Sequence, residues 1–192
     1  MAVYTIRNPN WLNWIAPEVF NDNDLFKIVI FFVFHSPCAN LSSMRRSLSE
    51  YNWHTPWKKP YYLNKQLKQA STNHKLLFSA PNYDSMDDAL EKADLLNCFP
   101  SDYSRERICI YDNQKNQFLS VFYHIRNALA HCRLNMINID SDCVFIFEDI
   151  QPNKNAEQLK VSARMILRKS TLLKWIEIIE NGENEYPGNI CV

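Results

Sequence analysis

The sequence has no excess of charge of either sign. Its 192 residues carry 21 Lys plus Arg against 21 Asp plus Glu. That balance excludes a bulk-basic coat that would hold nucleic acid through many phosphate contacts, and leaves room for a small basic site. Six cysteines occur, at positions 38, 98, 109, 132, 143 and 191, and no two are spaced Cys-x-x-Cys. No set of residues has the spacing of a zinc site, so neither a metal nor another cofactor is expected. The Met1 end is polar and contains proline, with no charged stretch ahead of an apolar core. Free thiols in a reducing, cytoplasmic setting are the expectation. The longest apolar run, Ile28 to Phe34, is well short of the ~20 residues that span a bilayer, so a membrane is not an expected partner. Neither an internal repeat nor a low-complexity segment is visible.

What is present is an ordinary globular balance, 46% hydrophobic and 22% charged, in a chain long enough to bury a core without staples. The pattern predicts one domain over residues 1–182 and a polar tail over 183–192. Asn8-Pro9 reads as a helix start, with Trp11, Leu12, Trp14 and Ile15 turned inward. Asn21 to Asp24 form a capping cluster ahead of Leu25 to His35, which is apolar on nearly all sides and is expected as a central buried helix or a buried strand. Trp53, Trp57, Tyr61 and Tyr62 interleave with His54, Lys58 and Lys59. They would either stack bases beside phosphates or, more simply, clamp a proline-rich loop to the core. Tyr62 to about Ala70 reads helical, and Ser85 is placed as the cap of a helix carrying Met86, Ala89, Leu90, Ala93 and Leu96. Residues 97–111 read as irregular, with a short strand at Ile108 to Tyr111.

Asp112 is placed as the cap of a long helix over about 113–134, whose apolar stripe is Phe118, Val121, Phe122, Ile125, Leu129 and Cys132. After it the period changes. Cys143 to Ile150 is strand-like, and Leu159 to Arg168 alternates apolar with polar residues. Together they predict an antiparallel hairpin over about 143–169 with one wet side. Ser170 then caps a last helix over about 170–181, with Leu172, Leu173, Ile176 and Ile179 inside and Gly182 in the left-handed cap position.

The groups suited to chemistry lie together on the long helix. Asn127 and His131 are i and i+4 and share a face. Arg126 is roughly 140° of helical rotation from His131. All three lie off the apolar stripe. Histidine gives and takes protons near neutral pH, and the arginine fork suits phosphate. The set fits phosphodiester cleavage in which a ribose 2′-hydroxyl attacks, with no metal required. A leaving-group acid would come from a second His131 across a two-fold dimer, or from His124 in the same chain. On spacing alone, a helix-end salt link or a satisfied histidine is the simpler account.

Arg126-Asn127-Ala128-Leu129-Ala130-His131 resembles the signature of the HEPN superfamily, an arginine followed after four to six residues by a histidine, with a polar residue next to the arginine. The resemblance implies a mainly α, HEPN-like helical bundle, here with a C-terminal two-stranded antiparallel β-hairpin and a final helix. It implies a homodimer through the motif helix. It also implies metal-independent endoribonuclease action at a composite dimer-interface site, leaving 2′,3′-cyclic phosphate. Roles in toxin–antitoxin or phage-defence systems, with an antitoxin partner, come with it. His131 would be the acid/base, Arg126 the phosphate holder and Asn127 the orienting group, with Arg133 and His124 as further substrate-binding residues. Two positions depart from the pattern. Cys132 stands where many members have glycine, and Arg133 where some toxins carry a tyrosine that is modified. Two other classes compete with this expectation, a non-catalytic HEPN domain that binds RNA or nucleotide or mediates assembly, and a metalloenzyme.

Overall fold

The computed structural model describes residues 22–38, 44, 46–53, 61–70, 77–96, 102–114, 116–139, 141–151 and 160–182, except for the side chains of Tyr61 and Tyr62. The expected Asn8-Pro9 helix start, the aromatic-basic stretch from His54 to Lys59 and the tail 183–192 lie outside the described residues.

The mainly α bundle with a two-stranded hairpin is not what this chain forms. A five-stranded mixed sheet runs through the molecule. Its strands are β1 (Leu77–Ala80), β2 (Arg107–Tyr111), β3 (Leu134–Ile139), β4 (Asp142–Gln151) and β5 (Lys160–Arg168), in the spatial order β1-β2-β5-β4-β3. β1 and β2 pair in parallel and the other neighbours antiparallel. The expected hairpin is its centre, β4 on β5. The two outer strands unread in the sequence, β1 and β3, are four and six residues long. Runs that short carry no periodicity that separates a strand from a loop or a helix end.

Helices cover both faces. On one side lie α1 (Asn23–Ile30), α2 (Tyr61–Ala70), α4 (Gln117–Ala130) and α5 (Lys169–Asn181), over Phe145, Phe147, Met165 and Leu167. On the other side α3 (Met86–Lys92), within the β1-to-β2 crossover, packs with Leu95 over Val144, Ile146 and Ile166. This second layer explains why β5 has no wet side: Val161 to Leu167 are all buried. Its buried arginine is satisfied internally. Arg164 donates from Nε to Glu148 Oε2 (3.0 Å) and from Nη1 to the carbonyls of Leu95 (2.8 Å) and Leu96 (2.6 Å). Arg133 also donates to Glu148.

The first-layer core is aromatic. Phe118, Phe122 and Trp175 meet edge to face or tilted, and Trp175 Nε1 donates to Leu67 O at 2.8 Å. Trp53 is fully buried and donates to Ile179 O at 3.0 Å, so at this position the packing reading holds. The segment Leu25 to His35 is α1 followed by a π-helical turn over Phe31–His35, capped by Asp22. It is not buried all round, since Phe26 is 64% and Phe34 39% exposed. Ser85 is the N-cap of α3 as expected, without a side-chain cap bond, and Asn82 accepts from its N–H at the preceding turn. Two other caps differ from expectation: Asn116 caps α4 where Asp112 was expected, and α5 starts at Lys169 with no side-chain cap. Gly182 does take positive φ (71°), but with ψ −168°, outside the left-handed helical region. A Cβ there would lie 2.4 Å from Tyr51 O. Among the described residues no helix is long and apolar enough to cross a membrane.

Candidate functional site

The motif helix ends earlier than the sequence pattern suggests. α4 stops at Ala130, and His131 is its C-cap, with φ −101° and ψ 10°. Cys132 follows with φ 52°. The N–H of Cys132 reaches Leu129 O (3.1 Å) and that of Arg133 reaches Ala128 O (2.7 Å). This pair of bonds is a Schellman motif with cysteine at the position glycine usually takes. The turn leaves His131 and Cys132 exposed, and the chain then enters β3. The stripe residues Phe118 to Leu129 are buried as expected, whereas Cys132 is not.

One side of α4 and the β4–β5 end of the sheet enclose a cavity of about 360 Å³. His131, Asn127 and Tyr123 line it from the helix, Asp149 and Ser162 from the sheet, and Tyr83 from the turn before α3. His124, Tyr111 and Asn113 complete the wall used below. Asp149 owes its place to β4, which carries it on the helix-facing side after Phe145 and Phe147.

The wall is a continuous polar network. His124 is fully buried; its Nδ1 lies 2.7 Å from Asp149 Oδ2, and its Nε2 lies 2.8 Å from Tyr111 O. A carbonyl only accepts, so Nε2 carries a hydrogen. The same Asp149 oxygen accepts from Asn127 Nδ2 at 3.2 Å, and Asn127 Oδ1 accepts from Arg126 Nη1 at 2.9 Å. Tyr83 stacks on Tyr111, with centroids 4.3 Å apart, and Lys160 Nζ sits 5.3 Å from the Tyr83 ring centroid. Burial, reinforced by Tyr111, Asp149 and Tyr123, pushes the Tyr83 phenol well above its usual range, so it remains a hydroxyl at neutral pH.

The five residues singled out in the sequence are thus divided by the fold. His131, Asn127 and His124 meet at the cavity. Arg126 does not line it and reaches the network through Asn127; its Nε is buried without a partner among the described residues. Arg133 is committed to Glu148. His124 presents its ring to the cavity, but both nitrogens are already engaged. Asp149, Tyr83, Asn113 and Ser162 were not singled out. They come from separate strands and loops, and no local spacing announces them. Among the described residues no three His, Cys, Asp or Glu side chains are grouped to hold a metal ion.

A family model described as HEPN pEK499 p136 matches residues 38–186. That span takes in the motif helix and all five strands. Neither the comparison with curated proteins nor that with solved structures found a match.

Proposed function

The chain belongs to the HEPN pEK499 p136 family, and on that premise we propose that it is an endoribonuclease whose reaction centres on His131. The observation that carries the reading is the position of His131, exposed at the mouth of the cavity with Asn127 beside it and the buried His124–Asp149 pair behind. The imidazole takes the proton from a ribose 2′-hydroxyl. The 2′-oxygen attacks the adjacent phosphorus, the bond to the 5′-oxygen breaks, and a 2′,3′-cyclic phosphate is left. The leaving 5′-oxygen needs a proton. His124 is poorly placed to give it, because both of its nitrogens are hydrogen-bonded inside the wall. A two-fold homodimer that brings a second His131 alongside supplies the acid.

Arg126 and Asn127 hold the wall in register. Reorientation of Arg126 from Asn127 to a bound phosphate would give the fixed charge that the pentacoordinate phosphorus requires. The test is cleavage of RNA by the purified protein in excess EDTA, with wild type beside Arg126→Ala and His131→Ala. Cleavage by wild type alone, with cyclic-phosphate ends, is the expected result. Intact RNA with all three proteins folded and dimeric would overturn the proposal.

A second reading has one specific observation in its favour. Arg126 is hydrogen-bonded to Asn127, and the cavity wall carries the carboxylate of Asp149, an arrangement that suits binding of a nucleotide's base better than turnover at its phosphate. Nucleotide or RNA binding without cleavage, unaffected by His131→Ala, would select it.

A further inference from the structure

Among the described residues the sheet contains one irregularity, and it lies at the cavity. Along β4 and β5, Asp149 pairs with Ala163, but the next residue, Ile150, pairs with Val161. Ser162 is the extra residue of a β-bulge. Regular alternation would put Val161 and Ala163 on the same face of the sheet. Instead Ala163 packs in the helix-side core and Val161 in the core under α3. The bulge has therefore flipped the strand, and it turns Ser162 into the cavity beside Asp149.

Ser162 is 3% exposed, and its Oγ has no hydrogen-bond partner among the described residues. Asn113 also lines the cavity, and its Oδ1 is likewise buried and unpartnered among the described residues. A buried polar atom left unpaired costs stability, and two such atoms on residues lining one cavity, beside a carboxylate, form a set of acceptors awaiting donors. The tyrosines supply the remaining requirement, an aromatic surface against which a flat ring packs. At about 360 Å³ the cavity is near the small end of ligand sites.

We infer that this cavity is a base subsite selecting a nucleobase with an exocyclic amino group, held through N–H donors by Asn113, Ser162 and Asp149. The inference rests on the RNA reading above and names the specificity of that same site. Adenine, cytosine and guanine each offer an amino group to these acceptors. Uracil presents carbonyl oxygens at the corresponding position, and oxygen facing Asn113 Oδ1 or Asp149 is repelled. The base lies against the buried wall, and its phosphate remains toward the exposed His131. That separation keeps the Asp149 carboxylate away from the phosphate charge.

The experiment is calorimetric titration of the full-length protein with AMP, CMP, GMP and UMP, repeated with Ser162→Ala and Asn113→Leu. At least one amino-bearing nucleotide is expected to bind tenfold or more tighter than UMP. Each variant should weaken that nucleotide by about tenfold, the worth of one buried hydrogen bond, and should not weaken UMP. Ser162→Ala removes an unpaired buried hydroxyl and is expected to fold at least as well as wild type. Equal affinity for all four nucleotides, no binding of any, or full amino preference in both folded variants would overturn the inference. RNA cleavage in EDTA, scored by the nucleotide at the cut, separates the two proposals. Selective nucleotide binding without cleavage sustains the subsite and removes the nuclease. Cleavage with no preference at the cut, together with unselective nucleotide binding, does the reverse.

Discussion

His124 Nδ1 and Asp149 Oδ2 lie 2.7 Å apart, with both side chains buried. This pair couples the motif helix to the inner strand β4, and it separates the two histidines of the motif in role. His124 belongs to the wall, and His131 stands exposed at its edge.

That division is measurable. His131→Ala should abolish RNA cleavage while changing stability by no more than about 0.5 kcal/mol, as for other exposed positions. His124→Ala leaves Asp149 buried without its main partner and should cost about 3–5 kcal/mol. Leu129→Ala, on the buried stripe, should cost about 2–5 kcal/mol. Urea denaturation checks all three, and equal losses at His131 and Leu129 would contradict the assignment of faces.

Arg126 and Asn127 act through one hydrogen bond, 2.9 Å long. Once Asn127 is removed, Arg126 Nη1 has lost its partner there. Arg126→Ala and Asn127→Ala should therefore be non-additive, with the double variant less destabilised than the sum by about 0.5–3 kcal/mol. A double-mutant cycle by denaturation gives the value, and strict additivity would mean that the bond contributes nothing.

Cys132 holds φ 52° at the end of α4. A side chain in this region carries about 1–2 kcal/mol of strain, against about 0.5–1 kcal/mol of extra unfolded-chain freedom that glycine brings. Cys132→Gly should raise the melting temperature and leave cleavage intact. A lowered melting temperature would show that the cysteine side chain has packing value outweighing its backbone strain.

Burial pushes the thiols of Cys38 and Cys109 up to about 12; the Ser36 hydrogen bond and Arg126 lower Cys38 only partly, and Arg164 does the same for Cys109. Below that pH both remain protonated, and the thiolate is the reactive form. Alkylation of the native protein at pH 8, mapped by mass spectrometry, should mark exposed Cys132 well before either. Labelling of Cys38 or Cys109 at a comparable rate would show that the core opens readily.

The sequence by itself determined what is local. The stripe from Phe118 to Leu129 fixed the motif helix and its buried face, because helical periodicity is written over many turns. The alternation from Leu159 to Arg168 fixed a strand, and Arg126 to His131 marked the family. Tertiary structure decided the rest. Ser162 and Arg164 read as one wet face, yet the bulge separates them: Arg164 lies under the α3 layer, where Glu148 satisfies it, and Ser162 lies at the cavity. β1 and β3 are strands because the sheet edges lie beside them, since their short runs specify little alone. The cavity depended most on tertiary structure. Asp149, Tyr83, Asn113 and Ser162 are far apart in the chain, and only pairing register and one bulge bring them to the motif. Local spacing encodes which side chains share a helix face; register encodes which distant ones share a cavity.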